Sequence, residues 1–213
     1  MTAVKINVDG QEIIAQKGQS VLEACLANDI YIPHICSLPE IQDRGVSCRL
    51  CMVEMDGFLR PQAACSLPVQ ADMIVRTDTD GVRTLQKEAF RLLMSTHDVA
   101  CVTCEANGAC ELQKIARFLG VKLSSNGLPV YLKEPAIDTD HPYLIHYRNR
   151  CVLCARCLVA CEKVEGRAQF SFSQRGIDMR LSFMGMKPDA CDACAKECAR
   201  VCPTGALILK KKA

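Results

Sequence analysis

The sequence predicts an α+β protein made of several small domains rather than one large core. Some short stretches alternate apolar and polar residues as strands do, and others repeat apolar residues at helical spacing. Only ten of the 213 residues are Phe or Tyr, and none is Trp. Cysteine, with sixteen copies, supplies a good part of the apolar fraction. Several small cores built around bound groups therefore fit this composition best.

The first elements are a β-hairpin and a helix. Residues 4–15 alternate on either side of Asp9-Gly10, a dipeptide typical of two-residue hairpin turns. Ser20 and Glu23 have the spacing of a capping box, which predicts that a helix begins there. Cys25 lies on the apolar face of that helix. Because a buried free cysteine behaves as a small hydrophobe, we expect Cys25 to pack in the core.

A long loop after this helix contains a first set of four cysteines. They are Cys36, Cys48, Cys51 and Cys65. Thiolates hold iron–sulfur clusters, and four on one loop favour a [2Fe–2S] cluster, in a relative of the plant-type spacing with a longer first gap. A four-cysteine zinc site stays open. It is disfavoured because zinc sites usually combine two close pairs, and here only Cys48 and Cys51 are close.

A second set begins with a histidine. Residues 84–97 have the apolar spacing of a helix, and another helix is predicted over residues 111–119. Between them lie His97, Cys101, Cys104 and Cys110. Three cysteines are one ligand short of a closed site, and a neutral imidazole from His97 completes it. Exchange of a thiolate for an imidazole removes one negative charge, which shifts the reduction potential upward, as in Rieske centres.

The last third of the chain contains two cysteine runs close to the bacterial ferredoxin spacing, in which the fourth cysteine of each run binds the other cluster. One predicted [4Fe–4S] set is therefore Cys151, Cys154, Cys157 and Cys202. The other is Cys161, Cys191, Cys194 and Cys198. Three residues instead of two separate Cys194 from Cys198, which leaves the ligation at the Cys191 site open. Between the runs, residues 170–183 alternate around Gln174-Arg175-Gly176 and predict a hairpin.

In this order the four sets resemble a family of iron–sulfur proteins over nearly the whole chain, about residues 3–209. The family includes the N-terminal iron–sulfur region of the complex I large subunit and the accessory cluster region of [FeFe]-hydrogenases. In length the chain most resembles the diaphorase small subunit (HoxU-type) of NAD-reducing [NiFe]-hydrogenases. The resemblance implies a β-grasp [2Fe–2S] ferredoxin domain, a small helical [4Fe–4S] domain with one histidine ligand, and a C-terminal ferredoxin-like domain with two [4Fe–4S] clusters.

The predicted domain boundaries follow these sets. Residues 1–80 form the [2Fe–2S] domain and residues 81–120 the histidine-ligated domain. Residues 121–146 contain three prolines and little periodicity, which indicates a connector. Residues 147–213 form the two-cluster domain.

The sequence also predicts a role. The glycines are scattered singly, without a Gly-x-Gly-x-x-Gly or Gly-Lys-Ser/Thr motif, so no nucleotide or flavin site and no catalytic residue is expected. We therefore predict an electron-relay subunit with one [2Fe–2S] and three [4Fe–4S] clusters. The resemblance implies a flavin subunit that binds NAD(H) as one partner and a hydrogenase or other catalytic module as the next. The same relay in an electron-bifurcating, formate dehydrogenase or complex I-like enzyme stays open.

Charge and hydropathy argue against other partners. The net charge of +2, without basic patches interleaved with aromatics, predicts no nucleic-acid binding. No stretch approaches the roughly 18 apolar residues of a membrane span, and the N-terminus lacks a signal-peptide core. A cytoplasmic location is expected, where closely spaced cysteines indicate metal or redox chemistry rather than disulfides. A zinc-based structural or nucleic-acid module is the alternative from a different class.

Overall fold

The computed structural model of the protein describes residues 3–38, 46–166, 169–184 and 191–211. These residues divide into two units, each with its own core. Unit 1 contains the described residues up to Phe90 together with Phe118–Val121. Unit 2 contains Arg91–Arg117 and the described residues from Lys122 onward. No helix within the described ranges is long and apolar enough to cross a membrane.

The predicted N-terminal hairpin is confirmed. Strand β1 (Ala3–Val8) pairs antiparallel with β2 (Gln11–Gln16) over its full length. Asp9 and Gly10 both have positive φ angles, of 52° and 86°. This is the conformation that a two-residue turn needs to match the twist of its strands. The alternation buries Ile6 and Val8 on one face of the sheet.

Helix α1 (Val21–Ala27) begins at the predicted capping box. The Glu23 backbone N–H donates to Ser20 Oγ at 3.2 Å, and the Ser20 N–H donates to the Glu23 carboxylate at 2.8 Å. These two bonds satisfy N–H groups that the first turn of a helix leaves without partners. Most of the apolar face of α1 is buried in the core of unit 1, and Cys25 packs there as predicted.

Three further strands complete a mixed sheet in unit 1. They are β3 (Met52–Met55), β4 (Gln62–Ala63) and β5 (Ile74–Arg76). The strand order is β2-β1-β5-β3-β4; β1 and β5 are parallel, and the other neighbours are antiparallel. With α1 packed in the same core, this arrangement confirms the predicted β-grasp fold. The connection between α1 and β3 carries the first three cysteines of the first set, and the connection between β4 and β5 carries the fourth.

Two helices flank the second cysteine set. Helix α2 (Asp80–Met94) begins four residues before the predicted start, because Thr79 Oγ1 accepts a hydrogen bond from the Val82 N–H at 3.1 Å. It also ends three residues early, so His97 lies beyond the helix and not in its last turn. Helix α3 (Glu111–Leu119) has the predicted bounds.

From Lys122 onward, the described part of unit 2 combines two helices with two small sheets. Its elements are β6 (Ile137–Asp138), β7 (Leu144–Tyr147), α4 (Arg156–Glu165), β8 (Phe170–Ser173), β9 (Arg180–Phe183), α5 (Cys191–Val201) and β10 (Leu207–Leu209). Strands β8 and β9 form the predicted hairpin. Strand β7 pairs antiparallel with both β10 and β6, although the sequence predicted only a connector over β6 and most of β7. Leu144, Phe170, Leu181 and Leu207 share one core with six cysteines of the two C-terminal runs.

A partly buried ion pair stabilises this part of unit 2. Arg148 Nη2 lies 2.6 Å from Asp138 Oδ2, and the two side chains are only 11% and 10% exposed. Burial alone raises the pKa of Asp138, but hydrogen bonds from the Asp140 N–H and from Arg148 outweigh it and hold that pKa below its usual value.

We expect Arg148→Met to lower the free energy of unfolding by about 2 kcal/mol, because it leaves the partly buried Asp138 carboxylate without its cation. The matched control is Arg76→Met in the exposed Arg76–Asp56 pair, where the loss should stay below about 1 kcal/mol. Since the folded pKa of Asp138 is lowered, its contribution exists above the unfolded pKa and disappears as pH falls through the folded pKa. Denaturant titrations at neutral and acidic pH measure the loss of unfolding free energy and its dependence on pH. Equal losses in Arg148→Met and Arg76→Met would contradict the prediction.

Candidate metal centres

Loops of unit 1 bring Cys36, Cys48, Cys51 and Cys65 together. Cys36 follows α1, the pair Cys48 and Cys51 precedes β3, and Cys65 lies in a short 3-10 turn after β4. The Sγ atoms of Cys36 and Cys48 are 3.4 Å apart, and Cys65 hydrogen-bonds to both Cys36 and Cys51. Three of the four side chains are buried, and Cys65 is half-buried. Residues 39–45 of the first loop lie outside the described residues.

The electrostatics of this set suit a cationic metal centre. Hydrogen bonds from neighbouring thiols lower the pKa values of Cys36 and Cys51. The same bonds, together with burial, raise the pKa values of Cys48 and Cys65. Four thiolates this close in an apolar core repel one another, so only a bound cation allows all four to ionise. The donor set therefore fits an iron–sulfur cluster, as predicted.

The structure gathers the second set around one cavity of unit 2. Its lining includes His97, Cys101, Cys104 and Cys110. The Asp98 N–H donates to the Asn149 carbonyl at 2.7 Å, and the His97 ring hydrogen-bonds to the Arg150 backbone. These contacts fix the histidine beside the segment that leads into Cys151.

The chemistry of His97 fits a ligand. Burial lowers its pKa to about 4, so the imidazole is neutral at physiological pH, which is the form that binds metals. Nδ1 is buried and has no hydrogen-bond partner among the described residues. An orphaned buried nitrogen costs free energy, which a metal bond would recover. Burial likewise raises the pKa of the Cys110 thiol, so metal binding has to supply the driving force for its ionisation.

A second cavity of unit 2 is lined by the third set, Cys151, Cys154, Cys157 and Cys202. The loop that leads into α4 reverses direction through Leu153 and Ala155, which both have positive φ angles, of 52° and 62°. Left-handed backbone at residues other than glycine costs free energy and is typical of functional loops. Burial raises the pKa of Cys151 to about 12 and that of Cys157 well above its ordinary value.

The fourth set is only partly described. The Sγ atoms of Cys161, Cys194 and Cys198 lie within 4.8 Å of one another, whereas the side chain of Cys191, the first residue of α5, lies outside the described residues. The structure joins Cys161 and Cys194 by a disulfide, although the sequence predicts both as ligands. Because the thiolate is the ligating form, a cluster at this site requires this disulfide to be reduced.

The way the structure groups the C-terminal cysteines agrees with the prediction that the fourth cysteine of each run lies with the other run. Cys202 joins the cysteines of the earlier run, and Cys161 joins those of the later run. Ligation itself stays a prediction. Sequence reasoning missed the backbone around these sites, above all Thr204 and Gly205, which follow Cys202-Pro203 and lie between two of the sets.

Comparison with known proteins identifies the family. A chain in the crystal structure of an NAD+-reducing [NiFe]-hydrogenase in the H2-reduced state is 35% identical to this one and superposes with a TM-score of 0.86. The match covers 98% of this chain and 88% of that one. The chain belongs to the iron–sulfur subunit family that NAD-reducing [NiFe]-hydrogenases share with complex I. Its fold class and its resemblance to these proteins are thereby confirmed.

Three protein-family models match consecutive parts of this iron–sulfur subunit. Residues 1–80 match a 2Fe-2S iron-sulfur cluster binding domain. Residues 86–124 match the NADH-ubiquinone oxidoreductase-G iron-sulfur binding region. Residues 141–208 match the ferredoxin-like domain of NADH-quinone oxidoreductase subunit 3. These matches support both 2Fe–2S and 4Fe–4S binding by the chain.

Relatives of this iron–sulfur subunit occur in larger proteins. It is 30% identical to the NADPH-Fe(3+) oxidoreductase subunit alpha of Geobacter sulfurreducens and 31% identical to an NADH-quinone oxidoreductase subunit of Rhizobium meliloti, over 97% and 96% of its length. It is 30% identical, over 98% of its length, to the NADP-reducing hydrogenase subunit HndD of Solidesulfovibrio fructosivorans. The chain spans only 24%, 24% and 36% of these three relatives.

Proposed function

We propose that the chain is the electron-relay subunit of a multisubunit NAD(P)-linked oxidoreductase. It passes electrons between a flavin subunit that binds NAD(H) and a hydrogenase module. The observation that carries this proposal is the convergence of cysteines distant in sequence at four separate places in the fold. We assign one [2Fe–2S] cluster to the Cys36 set and one [4Fe–4S] cluster to each of the other three sets.

The residues of the chain hold, shield and tune these centres. Iron–sulfur clusters, when bound, accept and release single electrons, and the hydrogen bonds to sulfur and the burial around them set their potentials. The Gln169 N–H donates to Cys161 Sγ and the Ala206 N–H donates to Cys202 Sγ, each at 3.3 Å. Such bonds stabilise negative charge on sulfur and so favour the reduced state of the site.

The relatives support the partners that we propose. Each of the three is named as a subunit, and their names share a nicotinamide nucleotide while differing in its redox partner: ferric iron, a quinone or, for the hydrogenase, hydrogen. A flavin subunit that binds NAD(H) is therefore the constant partner, and the catalytic module is the variable one. A complex I-like or formate dehydrogenase module is the alternative. We also propose a cytoplasmic location, because a reducing compartment keeps ligand thiols free of disulfides.

Anaerobic purification tests this function. We expect brown protein with about fourteen irons per chain, from one two-iron and three four-iron clusters. The colour should bleach with dithionite, whereas NADH should bleach it only when the flavin subunit is present. Protein with about four irons or fewer and bound zinc would refute the relay and favour a zinc module. Subunits that co-purify distinguish the hydrogenase from the alternative modules.

A further inference from the structure

One residue of unit 2 lies against two of the proposed cluster sites. Thr204 lines the cavity around the His97 set and also the cavity around the Cys151 set. Among the described residues that line these two cavities, it alone is common to both. Its side chain is only 1% exposed, so it lies inside the protein between the two sites.

Thr204 is linked to ligands on both sides. Its carbonyl oxygen lies 3.9 Å from Cys104 Sγ, on the side of the His97 set. On the other side, two short routes lead to the Cys151 set. One follows the backbone through Pro203 to Cys202, and the other follows the hydrogen bond from Thr204 Oγ1 to the Arg150 carbonyl at 2.6 Å, which is one peptide bond from Cys151.

Gly205 allows this close approach. Its φ is +64°, and a Cβ at this position would lie only 2.8 Å from Ala106 Cβ and 3.4 Å from Cys104 Sγ. The contact is fixed from the other side, because the Pro203 carbonyl accepts a hydrogen bond from the Glu111 N–H at 3.0 Å, directly after Cys110. Any side chain at position 205 therefore has to push the two loops apart.

We propose that the Thr204-Gly205 turn is the electron bridge between the His97 and Cys151 sites. Gly205 sets the distance between the sites, and Thr204 supplies the contact that couples them. One electron passes from one site to the other, so one site is oxidised as the other is reduced, and no bond breaks and no proton moves. This inference rests on the proposed function, since only a chain loaded with clusters relays electrons.

Gly205→Ala tests the distance. Ordinary contact begins at 3.4 Å, so the new Cβ has to displace Ala106 by more than half an ångström. We expect full iron content but measurably weaker magnetic coupling between the two sites, because the coupling falls as the sites move apart; pulsed EPR relaxation on the dithionite-reduced full chain measures it. The control is Gly120→Ala, which has the same φ of +64° and no atom within 4 Å of the new Cβ, and it should keep the wild-type coupling.

Thr204→Val tests whether the Thr204 contact couples the two sites. It also keeps the proposal testable if Gly205→Ala loses iron. Without the hydroxyl, the route to the Arg150 carbonyl is lost, and we expect several-fold slower electron exchange between the two sites, followed by rapid freeze-quench EPR. Thr204→Ser should restore the rate. The matched control is Thr77→Val in unit 1, since Thr77 is 5% exposed and donates a hydrogen bond of the same 2.6 Å length to the Asp9 carboxylate.

The outcomes separate this proposal from the function on which it rests. If the wild-type protein binds no clusters, the proposed function is refuted, whatever the results for the variants. If the wild-type protein holds all its clusters, two results would overturn the bridge alone. One is a Gly205→Ala variant that keeps its iron and its magnetic coupling between the two sites. The other is a Thr204→Val variant in which electrons exchange between the sites at the wild-type rate.

Discussion

Replacement of Cys51 by alanine is expected to remove the two irons of the unit 1 site, whereas Cys25→Ala should leave the iron content unchanged. Both side chains are 0% exposed and belong to the same hydrophobic core. Cys51, however, hydrogen-bonds to Cys65 within the cysteine set, whereas burial raises the pKa of Cys25 to about 12 and keeps it a neutral thiol. The pair therefore separates the loss of a ligand from the loss of a buried sulfur.

The free energy of unfolding of unit 1 should depend on its iron content. The free energy of metal binding is part of the free energy of folding, and it reaches about 10–16 kcal/mol for structural zinc in small peptides. We therefore expect Cys51→Ala to unfold at far lower denaturant concentration, and Cys25→Ala to lose about 1 kcal/mol, as an average point substitution does. Iron and sulfide analysis, the [2Fe–2S] EPR signal and a denaturant titration check this. Equal iron loss in both variants would contradict the ligand set.

The second large effect is expected for His97→Ala, which should lose one four-iron cluster and its EPR signal. The matched control is His146→Ala. His146 is also buried in unit 2, its pKa is likewise lowered to about 4 by burial, and its Nε2 has no hydrogen-bond partner among the described residues. It differs in position, because it lies in β7 opposite Leu207 and does not line the cavity of the Cys101 set.

His97→Cys extends this test from ligation to potential. A thiolate at this position adds one negative charge, so the cluster should be retained with a lower midpoint potential than in the wild type. EPR-monitored redox titration gives both the occupancy and the potential. Full iron and unchanged EPR signals in His97→Ala would show that the histidine is not a ligand.

The parts of the fold that sequence predicted depend on local chemistry. The Asp9-Gly10 turn, the Ser20–Glu23 capping box and helix α3 are each specified by neighbouring residues, and the structure has them where the pattern put them. The cysteine groups were predictable for a different reason. Metal coordination restricts the spacing of the ligands so strongly that the spacing can be recognised in the sequence.

The parts that sequence missed depend on contacts between distant segments. Strands β6 and β7 are two and four residues long, too short to show a period, and β7 exists because it pairs with β10 about sixty residues later. The same reason explains why Thr204 was overlooked. Nothing in the order of residues 202–206 reveals that Cys104 lies beside them; only the folded chain does.

The position of Cys202 beside Cys151, Cys154 and Cys157 has a consequence for biogenesis. When the ribosome has released the earlier run, only three of the four sulfurs have emerged, and the fourth follows Cys157 by 45 residues. Iron delivery to this centre therefore has to wait until Cys202 has emerged. Until then, the three earlier sulfurs lack the ligand that completes their set.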